Sequence, residues 1–202
     1  MDMNKAKEYI GLVVETLNSL NHEQIQNAAE AFYNTYQQGG NIYVFGNGGS
    51  GATASHVTGD FLKGASYGLD KRFRMICLND NIAAMMAIAN DIGYEDIFIE
   101  QLKNYIKPGD LAVGISGSGN SENVVRALQY AKEQGVNTLA LTGFKGGKIS
   151  KIATNWVHAD VQDMEVTEDV HMVIFNIIKK EMQSRLMGDN PSMGTVYDSR
   201  VS

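Results

Sequence analysis

Cysteine is nearly missing from this chain of 202 residues: Cys77 is the only one, so no internal disulfide can form. A single thiol inside an apolar run reads as a buried structural residue, and the composition suits a reducing compartment, the cytoplasm. Proline is almost as scarce, at two. Pro108 marks a turn with Gly109, and Pro191 lies in a polar tail. No apolar run approaches the ~20 residues of a membrane span. The first residues, MDMNKAKEYIGLVVETL, lack the small-residue cleavage site of a secretory signal. Basic residues, 17 against 23 acidic, leave a net charge of -6, which argues against broad binding to nucleic acid or anionic membranes. The lysine that ends a P-loop is absent, and the glycines at 46, 48, 49 and 51 do not fit the dinucleotide fingerprint. No nucleotide cofactor is therefore expected, and a kinase or dehydrogenase reading is weak.

What is present is 44% apolar and 20% charged, enough for one α/β domain spanning 1–202. Tyr9, Ile10, Val13, Val14 and Leu17 have helical spacing. Asn21 is placed to cap a second helix, which Gly39 and Gly40 stop. These two helices form an N-terminal extension over about 1–40. Beyond them, short apolar runs around 42–45, 74–78, 111–115, 138–141 and 156–158 alternate with helical stretches, including 82–89, 94–105, 122–134 and 166–186. Such alternation predicts a mostly parallel sheet with helices on both faces. A polar tail follows from about 188.

Two glycine- and serine-rich loops follow strands, at the sheet edge where open α/β folds bind ligands. The first is Gly46-Asn47-Gly48-Gly49-Ser50. The second is Ser116-Gly117-Ser118-Gly119-Asn120-Ser121. A helix start offers unpaired N–H groups and a favourable dipole to an anion. Capping accounts for one serine of the second loop but not for three, so this loop is read as a phosphate cradle. His56 and Asp60, four apart, share a helix face and can either ligate a metal or place a base beside its orienting partner. Glu165, Glu168, Asp169 and His171 cluster at the start of the last helix, where acidic residues also simply suit the dipole. His22 reads as a helix-start residue and His158 as a strand residue. Met85 and Met86 read as core, and residues 145–151 as a solvated loop.

These motifs, in this order, resemble the sugar isomerase (SIS) domain family and, within it, the phosphoheptose isomerase branch. The two loops, His56 with Asp60, Ala89-Asn90-Asp91, Leu141-Thr142-Gly143-Phe144 and Glu168-Asp169-Val170-His171 carry the likeness over most of 40–185. The resemblance implies a three-layer, flavodoxin-like sandwich with a five-stranded parallel sheet, a homotetramer, and active sites at subunit contacts. It implies that Ser116, Gly117, Ser118 and Ser121 hold the substrate phosphate. Asn47, Gly48, Gly49 and Ser50, with Asn90, Asp91 and Glu168, would contact the sugar. The implied reaction is aldose–ketose interconversion of sedoheptulose 7-phosphate and a heptose 7-phosphate, serving heptose supply. A zinc site, where present, would use His56, Asp60, Glu168 and Asn176. The family usually has Glu at position 60, Gln at 168 and His at 176. Asparagine at 176 is no base near neutral pH and a poor zinc ligand. Asp60 or Glu168 is expected to shuttle the proton, with His171 as a reserve base. His56, or a metal beside it, would polarise the carbonyl. The alternative is a non-catalytic phosphosugar-binding regulator or scaffold on the same fold.

Overall fold

The computed structural model describes residues 3–188 and 199–200; most of the expected polar tail therefore lies outside the described residues. Two helices come first, α1 (Met3–Ser19) and α2 (His22–Gln38). The Asn21 side-chain oxygen accepts from the amides of Glu23 at 2.9 Å and Gln24 at 3.2 Å, so Asn21 is the N-cap expected of it. Gly39, in the left-handed region at φ 72°, ends α2.

The strands are β1 (Asn41–Gly46), β2 (Arg74–Cys77), β3 (Leu111–Ser116), β4 (Asn137–Thr142) and β5 (Asn155–His158). They form one sheet in the order β2-β1-β3-β4-β5, every neighbouring pair parallel. This is the five-stranded, flavodoxin-like sheet that the family resemblance implies. β3 and most of β1 and β4 are buried, as expected of strands covered on both faces. Strand alternation sends Ile42 and Val44 to one core and Tyr43 and Phe45 to the other.

The first core lies under α2, α3 (Gly48–Lys63) and α8 (Met164–Met187). Phe32 stacks on Phe61 at 5.2 Å and meets Phe175 at 6.5 Å, while Phe73 joins Phe61 at 5.1 Å. Each such pair adds about 1 kcal/mol beyond its buried area. The second core lies under α4 (Ile82–Asp91), α5 (Ile99–Leu102), α6 (Glu122–Glu133) and α7 (Ile149–Ile152). The continuous helix expected over 94–105 is instead a single 3₁₀ turn, Tyr94–Asp96, followed by the one-turn α5. Tertiary anchors override the helical pattern here. Ile97, Phe98 and Leu102 are fully buried, the Gln101 amide donates to the Leu78 carbonyl at 3.1 Å, and Asp96 is held by Arg126 of α6 at 2.9 Å. The loop expected over 145–151 contains the start of α7.

α1 lies outermost. Tyr9 donates a 2.7 Å hydrogen bond to Asp169 of α8, which pushes the phenol up to about 12. Thr16 is the one buried residue of α1, and Ile10 and Val14 face outward.

α3 and α8 run parallel and in register. Asp60 meets Lys179, and Gln183 meets the carbonyl of Gly64, each pair 119 positions apart in sequence. Gly49 and Glu168, near the start of both helices, have the same offset. This register delivers Glu168 to the sheet edge described next.

Candidate active site

From β1 the chain crosses toward β2, and from β3 it crosses the other way toward β4. The crevice between the ends of β1 and β3 is therefore the switch point at which this class of sheet binds ligands. A cleft of about 270 Å³ opens there. Its walls are Asn47, Gly48 and Gly49 from the first loop, Ser116, Ser118 and Ser121 from the second, and Glu168 from α8. Ser50 and Gly117 line it too. Both glycine/serine loops thus meet in one site.

Each wall is held by its own local chemistry. Asn79 extends the sheet edge past β2: its amide takes the Gly46 N–H at 3.2 Å and donates to the Gly46 carbonyl at 2.8 Å. α3 then starts within the glycine run, with Gly48 at φ 52°. A Cβ on Gly49 would lie 2.1 Å from Oε2 of Glu168, so any side chain there would displace the carboxylate. The Glu168 carboxylate is thus pressed against the first turn of α3, where the helix dipole favours negative charge.

The Asn47 and Asn123 amides exchange two hydrogen bonds of 2.9 Å, and the Tyr94 hydroxyl donates to Asn47 Oδ1 at 2.9 Å. One N–H of Asn47 Nδ2 remains for a ligand. Asn79, Asn123 and Tyr94 were not singled out from the sequence. Asn123, in the first turn of α6, is 2% exposed, but a polar residue at a helix start carries no sequence signal of that burial.

Ser121 stands at the N-cap of α6 but makes no capping bond. Its hydroxyl lies 3.0 Å from that of Ser116. Two hydroxyls and the open amides of two helix starts therefore face one small space, and no lysine or arginine lines it. Neutral donors arranged in this way can hold an anion.

The remaining site candidates lie elsewhere. Asn90 and Asp91 are exposed at the end of α4, where the Asn90 amide donates to Asp91 at 2.7 Å, and neither lines this cleft. His56 and Asp60 do share a face, with Nε2 3.7 Å from Oδ2. The same Asp60 oxygen is held by Lys179 at 2.5 Å. Asp60 is eleven residues past Gly49, roughly 16 Å along α3 at about 1.5 Å per residue, so within one chain it does not reach Glu168. Asn176 is exposed and two turns beyond Glu168 on α8. Among the described residues no three His, Cys, Asp or Glu side chains gather to hold a metal. Taken alone, one chain therefore does not fit the implied zinc site. The expected oxygen ligand of Asp60 is engaged by an ammonium, and the fourth ligand is a carboxamide.

His171 overturns the reserve-base expectation. It falls on the buried face of α8 with Val170 and Ile174, is 1% exposed, and has no hydrogen-bond partner at either ring nitrogen. Burial lowers its pKa to about 4; the nearby Thr142 backbone, outside regular hydrogen-bond geometry, pulls the other way, and His158 lowers it further. A neutral imidazole in the core cannot reach a substrate.

Comparison with known proteins agrees with the geometry. The family model described as SIS domain matches residues 7–143. A Thermoplasma volcanium protein named probable phosphoheptose isomerase is 37% identical over 171 residues, covering 85% of this chain and 87% of the relative. The structure of a phosphoheptose isomerase from Neisseria gonorrhoeae superposes with a TM-score of 0.81 at 28% identity, covering 90% of this chain and 96% of that one. One from Francisella tularensis gives 0.82 at 26% identity, covering 90% and 98%. With sheet order, serine-lined cleft and sequence in agreement, the chain belongs to the SIS domain family.

Proposed function

We propose that this chain is an aldose–ketose isomerase that converts sedoheptulose 7-phosphate to D-glycero-D-manno-heptose 7-phosphate through an enediol. The observation that carries the reading is one cleft lined together by the Ser116–Ser121 hydroxyl pair, Asn47 and the Glu168 carboxylate. The relatives named above as phosphoheptose isomerases support the substrate.

The serine hydroxyls and the amides opening α3 and α6 take the phosphate. Each charge-assisted hydrogen bond is worth about 2 kcal/mol, so a few suffice without a fixed cation. The sugar then lies toward Asn47 and Glu168. Isomerisation moves a proton between adjacent carbons while the carbonyl oxygen gains charge. Glu168, the one carboxylate lining the cleft among the described residues, removes the proton from one carbon and returns it to the next. The spare N–H of Asn47 donates to the oxygen. No step is assigned to a metal.

His56 and Asp60 enter through assembly. In a cytoplasmic homotetramer the His56–Asp60 pair of one chain completes the cleft of another, with His56 polarising the carbonyl. Support comes from the outward Ile10 and Val14 of α1 and from a groove of about 360 Å³ lined by Leu17, Leu20, Ile25, Val173 and Ile177. An apolar face of that kind is what a second copy would cover. No helix among the described residues is long and apolar enough to cross a membrane.

Exchange of solvent deuterium into sedoheptulose 7-phosphate tests the chemistry. Exchange should accompany turnover and collapse in the Asp60→Asn, Glu168→Gln double variant; full-rate exchange in that variant would sink the assignment. The second reading, a phosphosugar-binding regulator, is favoured by the carboxamide at Asn176. It predicts saturable binding with neither turnover nor exchange.

A further inference from the structure

Beside the serine cleft lies a larger cavity of about 470 Å³ that the isomerase reading does not use. Lys145, Lys148 and Lys151 surround it, with Phe144 and Gln162. In a chain of net charge -6, three ammoniums around one cavity are an exception to the prevailing charge. Among the described residues, neither Lys145 nor Lys151 has a carboxylate within ion-pair distance. Lys148 meets Glu122 only at 3.7 Å, with both side chains more than half exposed. The positive charge is therefore available to a ligand.

The cavity is joined to the serine cleft. Ser118 lines both, and no other residue does. The loop carrying the lysines is bonded to the serine loop: the amides of Lys148 and Ile149 donate to the Gly119 carbonyl at 2.8 and 3.1 Å, and that of Gly143 donates to Gly117 at 2.8 Å. The two loops touch without intervening side chains. A Cβ on Gly119 would lie 2.1 Å from the Gly146 carbonyl oxygen. At the mouth, Phe144 has φ 50°, the sole positive φ of a non-glycine among the described residues. Its amide donates to the Val161 carbonyl at 2.9 Å, which fixes the unusual backbone that presents the ring to the cavity.

We infer that this lysine-lined cavity is a second phosphoryl-binding subsite, for a ligand with a phosphoryl group additional to the one held by the serine cradle. The class is an organic polyphosphate, either a sugar bisphosphate or a nucleoside diphosphate whose base stacks on Phe144. Because Ser118 is shared, such a ligand competes with the sugar phosphate. The inference takes the serine cleft as the substrate phosphate site, and so rests on the function proposed above.

Calorimetric titration of the full chain with inorganic pyrophosphate, fructose 1,6-bisphosphate and ADP tests it, alongside a triple variant with Lys145, Lys148 and Lys151 changed to alanine. A second triple variant, with exposed Lys5, Lys7 and Lys180 changed to alanine, controls for net charge. The expected result is saturable binding of at least one probe that weakens tenfold or more in the cavity variant alone and falls with added salt. A fructose bisphosphate preference identifies the sugar source; an ADP preference lost in Phe144→Ala identifies the nucleotide. Turnover of sedoheptulose 7-phosphate without probe should be unchanged in the cavity variant, so loss of isomerase activity in the wild type and loss of the second subsite are read separately. No binding of any probe at millimolar concentration, or equal weakening in both triple variants, overturns the inference. So does binding lost only in Ser121→Ala.

Discussion

The Glu168 carboxylate rests on Gly49, where any side chain would push it aside. A single general base contributes about 10²–10⁴-fold. Glu168→Gln should therefore lower kcat by that range while KM changes little, as measured by steady-state turnover. Asp60 is tied to Lys179 at 2.5 Å, in a pair that is partly open to solvent. Lys179→Met should cost about 1 kcal/mol in urea unfolding once screening is allowed for. Because the ammonium already serves Asp60, turnover should survive dialysis against a chelator; loss of activity restored by zinc would contradict this. His171 makes a pH-dependent contribution. Its folded pKa of about 4 lies below the ordinary 6.5 because burial disfavours the charged form. Between those values the unfolded chain binds a proton that the folded chain does not, so stability falls as pH drops from 6.5 toward 4, by up to about 3 kcal/mol. His171→Leu should flatten that slope, read by urea unfolding at pH 7.5 and pH 5.

At the scale of elements, two side chains in similar positions do opposite work. Asn21 caps α2, whereas Ser121 leaves α6 uncapped and turns to Ser116. Asn21→Ala should lose about 1 kcal/mol of stability and leave phosphate affinity intact. Ser121→Ala should do the reverse, which thermal melts with and without sugar phosphate will show. Sequence alone offered both as caps, since residue type and the following helix are the same signal in each case. The strands and α2 were legible because buried parallel strands are unbroken apolar runs and helix ends carry Asn and Gly. The break after Asp96 was not, because it depends on Gln101 reaching Leu78 and Arg126 reaching Asp96, contacts between residues distant in the chain. The site divides the same way. The two loops could be read where they stand, but the support that Asn79, Asn123 and Tyr94 give Gly46 and Asn47 exists only after folding.

At the scale of the whole molecule, the cleft and the His56–Asp60 pair sit on one chain without meeting, and the outer helix leaves Ile10 and Val14 facing out. The proposed homotetramer would account for both. Sedimentation should give four copies of the 22.1 kDa chain. Ile10→Glu with Val14→Glu should dissociate it and reduce turnover together; an active monomer would remove His56 and Asp60 from the site. The central claim is that the serine cleft and Glu168 perform isomerisation rather than binding alone. It is tested most directly by incubating purified protein with sedoheptulose 7-phosphate in deuterium oxide and following product and label by NMR. Isomerisation should yield heptose 7-phosphate with deuterium at the carbon next to the carbonyl, both reduced about 10²–10⁴-fold in Glu168→Gln. Tight binding of the sugar phosphate with neither product nor label would contradict it.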